Sequence, residues 1–303
     1  MIVGLLNITW QALADAVGLG SIYALMAVGI GLVFGVLRLV NFAYGQQVMA
    51  GAFALALASQ WGWPVWGGIA LCFAVVIVLS LVLDRVVFRP LRRHSPAVML
   101  VATFAVAFLL ESIALLWFGS LGKIATSLAS LNQPWTIGGV DIRRVTIVAT
   151  ATAAAALLAL VVLLQRTNVG LHMRAAAMDF ETARLLGVRA NRVIAAAVLI
   201  SGVLAAIVAV MLTVQTPLVT PTFALEDTIL VLAGVVLGGM NRLVPATLGG
   251  FAIGFASGLL GGTLPTNQSQ YLPSFLFAAV ILVLLVRPGG LFTRFGQGSV
   301  ERV

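Results

Sequence analysis

The sequence predicts an all-α polytopic membrane protein of about 8–9 transmembrane or half-spanning helices. Three observations carry that reading. Apolar residues make up 61% of the 303-residue chain and charged residues only 9%, with a mean hydropathy of +1.14. A soluble domain carries roughly 25% charge, so this chain lacks the polar surface to clothe a globule in water. The apolar residues fall into runs of span length, since a bilayer needs roughly 20 helical residues. Finally, the basic residues gather in alternate connecting segments.

The first run covers about residues 13–37. It exceeds the length of a signal-peptide core and no basic residue precedes it, so no cleavable leader is expected. Further runs lie at about 43–60, 65–83, 96–119, 144–165, 193–214, 227–239, 245–262 and 273–286. Several are short or glycine-rich, and 227–239 has the length of a half-span. Gly250, Gly254 and Gly258 recur every four residues, as do Gly31 and Gly35. Lipid offers no hydrophobic drive for helix association, so close approach at small residues supplies the packing. The chain reads as one transmembrane domain, 1–303, with a long loop at about 166–192.

Charge sets the orientation. Loops near 38–45, 84–95, 166–192 and 240–244, with the C-terminal tail, hold all of the 17 Lys and Arg residues except Lys123, Arg143 and Arg144. Placing those loops in the cytoplasm puts the N-terminus outside and the C-terminus inside. The net charge of +8 then reads as attraction to anionic membrane lipid, and no nucleic-acid partner is expected.

Several kinds of chemistry are missing. The single cysteine, Cys72, excludes a disulfide framework. His94 and His172 lie beside arginines, so no metal site is expected. The lone lysine, Lys123, is followed by Ile124 and has no phosphate cradle upstream, so the chain binds no ATP in a P-loop. No carboxylate pair suggests catalysis, and no cofactor is expected on this chain. Glu111 is the one acid read as lying at membrane depth, toward the outer third of its span, while Glu226 and Asp227 mark an outer helix start. Polar candidates for a translocation pathway are Asn41, Tyr44, Gln46 and Gln47 near a break at Gly45, with Thr213, Gln215 and Glu111. The plainer role for such amides is bridging helices.

The loop at 166–192 is the most informative segment. Asp179 suits the cap of a short helix, Glu181 its first turn and Gly187 its end, with Leu185 and Leu186 on an apolar side. Physics alone allows such a helix to lie on lipid headgroups or to dock on another protein.

The string from Glu181-Thr182-Ala183 to Gly187 resembles the Glu-Ala-Ala…Gly loop of ABC importer permeases. With Ala183-Arg184-Leu185-Leu186-Gly187-Val188 and Asn191-Arg192-Val193, it is similar to the branched-chain amino acid permease family, and to its LivH-type subunit in particular. Gly18-Leu19-Gly20-Ser21-Ile22-Tyr23-Ala24-Leu25, Asn41-Phe42-Ala43-Tyr44-Gly45-Gln46 and Arg287-Pro288-Gly289-Gly290-Leu291-Phe292 extend the likeness over most of the chain.

The resemblance implies a type II ABC importer-like permease bundle in the bacterial inner membrane. It implies a loop helix that seats in a cleft of the ATPase, with Asp179, Glu181, Ala183, Arg184 and Gly187 at the contact. The partners it implies are a second, LivM-like permease subunit, two cytoplasmic ATPase subunits that carry ATP-Mg, and an extracytoplasmic substrate-binding protein. The implied cargo is branched-chain or other hydrophobic amino acids, or related small polar solutes such as amides, urea-like or carboxylate compounds. Thr182 stands for the family's alanine, Tyr44 and Gln46 stand where the family commonly has His and Glu, and Met240-Asn241-Arg242 follows Gly238-Gly239. A lysine often found before the late half-span is missing near Glu226-Asp227. Together these departures point to a subgroup with a cargo of its own. The alternative reading is an ion-coupled secondary transporter working alone, which needs a coupling carboxylate such as Glu111.

Overall fold

A computed structural model of the protein describes residues 10–37, 40–91, 95–126, 133–137, 140–240, 242–265 and 268–287. Arg38, Arg92, Arg93, His94, Asn241 and everything from Pro288 onward lie outside them, as does the side chain of Glu181. In chain order the helices are α1 (Trp10–Leu37), α2 (Tyr44–Gln60), α3 (Val65–Leu91), α4 (Pro96–Phe118), α5 (Arg144–Arg166), α6 (Asn168–Met178), α7 (Phe180–Leu185), α8 (Ala190–Gln215), α9 (Leu225–Gly238), α10 (Leu243–Thr263) and α11 (Leu272–Val286). Six of them, α1, α3, α4, α5, α8 and α10, are long and apolar enough to cross a membrane. The nine apolar runs of the sequence all appear as helices, with α2, α9 and α11 shorter than a full span.

Burial sorts these helices by position. In α1, 83% of the most apolar window is buried, against 17% in α5. Thus α1 is the axis and α3, α4 and α5 form the exposed rim of the bundle. Around α1 pack α10, α8, α5 and α9, while α2 sits between α3 and α8. The glycine face of α10 makes this possible. A side chain at Gly250 would meet Ala27 and Tyr23 of α1, one at Gly254 would meet Gly20 and Tyr23, and one at Gly258 would meet Ala16. Gly31 likewise lies beside Leu243 and Ala246, but Gly35 has open space around it and is no packing glycine.

The two ends of the bundle differ in chemistry. One end gathers the foot of α1, the end of α3, the start of α4, α6 and the start of α8 in a shared apolar cluster built on Val36, Phe88, Met99, Met173 and Ile194. Arg85, Arg89, Arg166, Arg174, Arg184, Arg189 and Arg192 belong to the elements of this end. At the opposite end Trp10, Trp61, Trp63, Trp66 and Trp117 are exposed, as expected of aromatic side chains at a membrane interface. There Lys123–Ile124 (β1) pairs with Leu218–Val219 (β4) and ties α4 to α8. Pro134–Ile137 (β2) and Val140–Arg143 (β3) form a hairpin that leads into α5.

The structure corrects the sequence expectation in two connecting segments. The apolar run at 65–83 continues as helix through a π-helical turn, Asp84–Phe88, to Leu91. Asp84, buried, accepts from Arg89 Nε at 2.8 Å, which keeps two charges at the end of an apolar helix. The loop at 166–192 also contains more helix than its turn signals suggest. Besides α7 it holds α6, whose start is capped by the Thr167 hydroxyl accepting from Gly170 N–H at 3.1 Å.

Candidate functional site

Two regions hold the residues that the sequence singles out. The first is α7, at the arginine-bearing end. Asp179 Oδ1 accepts the Thr182 N–H at 3.1 Å and the Thr182 hydroxyl donates to Asp179 Oδ2. Threonine at 182 therefore strengthens the cap in a way alanine does not. At the other end Val188 N–H bonds Ala183 C=O at 3.0 Å and Gly187 N–H bonds Arg184 C=O at 3.0 Å, with Gly187 at φ +90°. This is a Schellman termination, which favours glycine because a Cβ is disfavoured in left-handed backbone. Phe180 and Val188 pack the helix against the cluster at this end, and Ala183 is buried. Arg184 faces solvent, and so do Met178, Leu185 and Leu186, each at least 80% exposed. Glu181 lies in the helix, and its side chain falls outside the described residues. A capped, anchored helix and the residues flanking it therefore present three apolar side chains and a cation to water. That arrangement suits docking on another protein better than packing within this chain.

The second region is a polar belt inside the bundle. The starts of α2 and α9 meet there, well within the span. Tyr44 lies against Gly29 of α1, and Gly45 lies against Ala224 and Thr228. Gly45 is thus no helix break. It is a second-position residue of α2 whose missing side chain lets α9 approach. Close by, the Tyr23 hydroxyl, in the middle of α1, donates to Asp227 Oδ1. The carboxylate read as part of an outer helix start therefore sits against the centre of the axis helix, and Glu111 is not the one acid at depth. Only the register of α1 against α9 reveals this, and no local sequence signal carries it.

The other candidates divide. Gln46 Nε2 donates to Glu111 Oε2 at 3.5 Å, so the structure brings these two together across α2 and α4. A carboxylate accepts only, which turns Gln46 Oε1 away from it. That oxygen, Gln47 Oε1 and the Tyr44 hydroxyl are buried without hydrogen-bond partners. Buried unpaired polar atoms cost about 1–3 kcal/mol each, so a cluster of them on one turn of helix is a place for water or a polar ligand to supply the missing bonds. Asn41 is also buried, but its Oδ1 accepts the Ala43 N–H at 3.1 Å, so it shapes the turn into α2. Thr213 bonds back to Ala209 C=O at 2.6 Å within its own helix. Gln215 closes α8 near the tryptophan-bearing end, away from the belt.

The described residues contain no cluster of His, Cys, Asp and Glu able to hold a metal. The belt offers instead hydroxyls, amide oxygens and the carboxylates of Glu111 and Asp227, which already accept hydrogen bonds from Gln46 and Tyr23.

Comparison with known proteins places this architecture. The family model for the permease component of branched-chain amino acid transport systems matches residues 12–285. The high-affinity branched-chain amino acid transport system permease protein LivH of Escherichia coli K12 is 29% identical over 310 residues, covering 97% of each chain. LivH of Salmonella typhimurium is 30% identical over 307 residues with the same coverage, and BraD of Pseudomonas aeruginosa is 28% identical over 305 residues, again with 97% of each chain. Among solved structures, an inward-facing ABC transporter described as of metal-chelate type aligns with a TM-score of 0.53 at 16% identity, over 93% of this chain and 88% of that one. PsaBC from Streptococcus pneumoniae aligns at a TM-score of 0.50 and 12% identity, over 95% and 97%. These two share the fold.

Proposed function

Since the chain belongs to the permease-component family of branched-chain amino acid transport systems, we propose that it lines the import pathway of an ABC importer for branched-chain or other hydrophobic amino acids. It is a multi-pass membrane protein and a transport subunit, not an enzyme. The observation that carries the reading is the family likeness over 97% of the chain, which includes both the polar belt and α7.

In this reading the energy comes from outside the chain, through two ATPase subunits on the arginine-bearing side. The Asp179 cap and the Gly187 termination make α7 a stiff unit, and its exposed Arg184, Leu185 and Leu186 supply the contact. Movement of the ATPases then shifts the balance between inward- and outward-open bundles, because each state offers α7 a different seat. A second, LivM-like permease subunit completes the pathway, and an external binding protein delivers the cargo. The positive-inside rule puts the arginine-bearing end in the cytoplasm and the tryptophan-bearing end outside.

The cargo passes the belt of Tyr44, Gln46, Gln47 and Glu111. Acceptor-rich groups suit the ammonium of an amino acid, and the apolar walls of α1 and α2 suit its side chain. Tyr44 and Gln46, which depart from the family's usual His and Glu, extend the range toward small amides and related polar solutes.

The test is purification in mild detergent with identification of stoichiometric companions, followed by uptake in proteoliposomes. Two ATPases, a second permease and leucine uptake that requires internal ATP are expected. A chain that purifies alone and takes up solute on an ion gradient without ATP would overturn the proposal in favour of a secondary transporter.

A further inference from the structure

Beside α7, the arginine-bearing end folds into a cleft of about 340 Å³. Its polar wall is Asn168 and His172 of α6 with Arg189 and Arg192 at the start of α8, and its apolar floor is Val169, Val193 and Ala196. No acid lines it. Among the described residues these three basic side chains make no ion pair. No side chain among the described residues caps the start of α8, so the positive end of a 26-residue helix adds to the field.

Position selects the occupant. The apolar body of α5 ends at Arg166 and that of α8 begins after Arg192, so the cleft lies where these helices leave the bilayer. From the basic wall the floor runs through Val193 and Ala196 onto the membrane-embedded part of α8. A ligand with a phosphate at one end and hydrocarbon at the other matches both surfaces. Basic pockets between membrane helices at this level recognise such headgroups. A docking protein, by contrast, has the apolar face of α7 to use.

We propose that this cleft binds the phosphodiester headgroup of an anionic phospholipid, and so clamps the segment that joins α7 to α8. Gly187 belongs to the cleft wall, so the lipid reaches the exit of the helix assigned above to ATPase contact. The regulatory consequence rests on that assignment, whereas the binding itself does not.

The protein is purified with whatever subunits accompany it and placed in phosphatidylcholine nanodiscs doped with phosphatidylglycerol. Retained lipid is then read by native mass spectrometry, which needs neither ATP nor cargo. The double variant R189Q/R192Q is expected to lower phosphatidylglycerol retention roughly thirtyfold, from the usual gain per basic residue at an anionic surface. R189K/R192K keeps most of it, and Arg174→Gln, on α6 but outside the cleft, leaves it unchanged. Equal retention by the wild type and R189Q/R192Q overturns the proposal. Displacement of the lipid by inorganic phosphate would show a soluble-anion site instead, and loss of companion subunits with lipid retained would show a protein interface. Either result overturns the lipid assignment. Should the double variant fail to fold, Ala196→Phe fills the floor while leaving both arginines, and unchanged retention there has the same force.

Discussion

Gly187 shows how the backbone of one residue bears on the proposed coupling. Its φ of +90° lies in left-handed space, and a Cβ placed there would meet no atom within 4 Å. Any cost of substitution is therefore conformational, about 1–2 kcal/mol for an L-residue. Gly187→Val is expected to leave the bundle folded while reorienting the end of α7, so that ATP hydrolysis continues and uptake falls. Asn tolerates this region, so Gly187→Asn restores most of the coupling, and hydrolysis measured beside uptake in proteoliposomes decides between them. Unchanged coupling in Gly187→Val removes the assignment of α7. Tyr23→Phe probes the belt differently. It leaves the Asp227 carboxylate short of a donor inside the bundle, at a cost of about 1–3 kcal/mol. A lower midpoint of thermal unfolding in detergent is expected, and an unchanged midpoint would show that the bond contributes nothing net. Glu111→Gln keeps the size of the side chain beside Gln46. ATP-driven uptake then persists in part, whereas complete loss on an ion gradient would mark a coupling carboxylate.

Among the elements, α1 and α10 matter most to assembly. Their contact depends on backbones brought together at Gly250, Gly254 and Gly258, where a larger residue meets Tyr23, Gly20 and Ala16. Gly254→Leu is expected to separate the two helices and to cost about 1–3 kcal/mol or more through overpacking. Yield and thermal stability in detergent should both fall. Gly35→Ala, at an open position, serves as the control and leaves both unchanged. The nine helical runs were legible in the sequence because a membrane helix writes its length in apolar residues. The strands β1 to β4 were not, since runs of two to four residues carry no periodicity. Nor was α6, whose residues alternate too little to separate a surface helix from a loop.

At the scale of the whole molecule, charge and aromatic residues set a direction. Arginines gather at the end that carries α6 and α7, and exposed tryptophans at the other. Cysteine labelling of intact cells with an impermeant maleimide tests the orientation directly. Lys123→Cys is expected to react from outside and Arg174→Cys only after permeabilisation. Cys72 is buried and so stays silent as background. The reverse pattern would turn the molecule over and move the ATPase contact to the wrong side of the membrane.

From the sequence alone follow the membrane class, the nine apolar helical runs, the gathering of basic loops at one end and the cap and stop of α7. All of these depend on residues near one another in the chain, whose composition and spacing carry the physics. Tertiary structure alone decided that α2 and α9 begin inside the bundle, and that Gly45 is a point of helix approach. It likewise decided that Tyr23 meets Asp227 and that Gln46 meets Glu111. Those pairings join residues 204 and 65 positions apart, and only the register of one helix against another, set by where small residues let backbones close, brings them into contact.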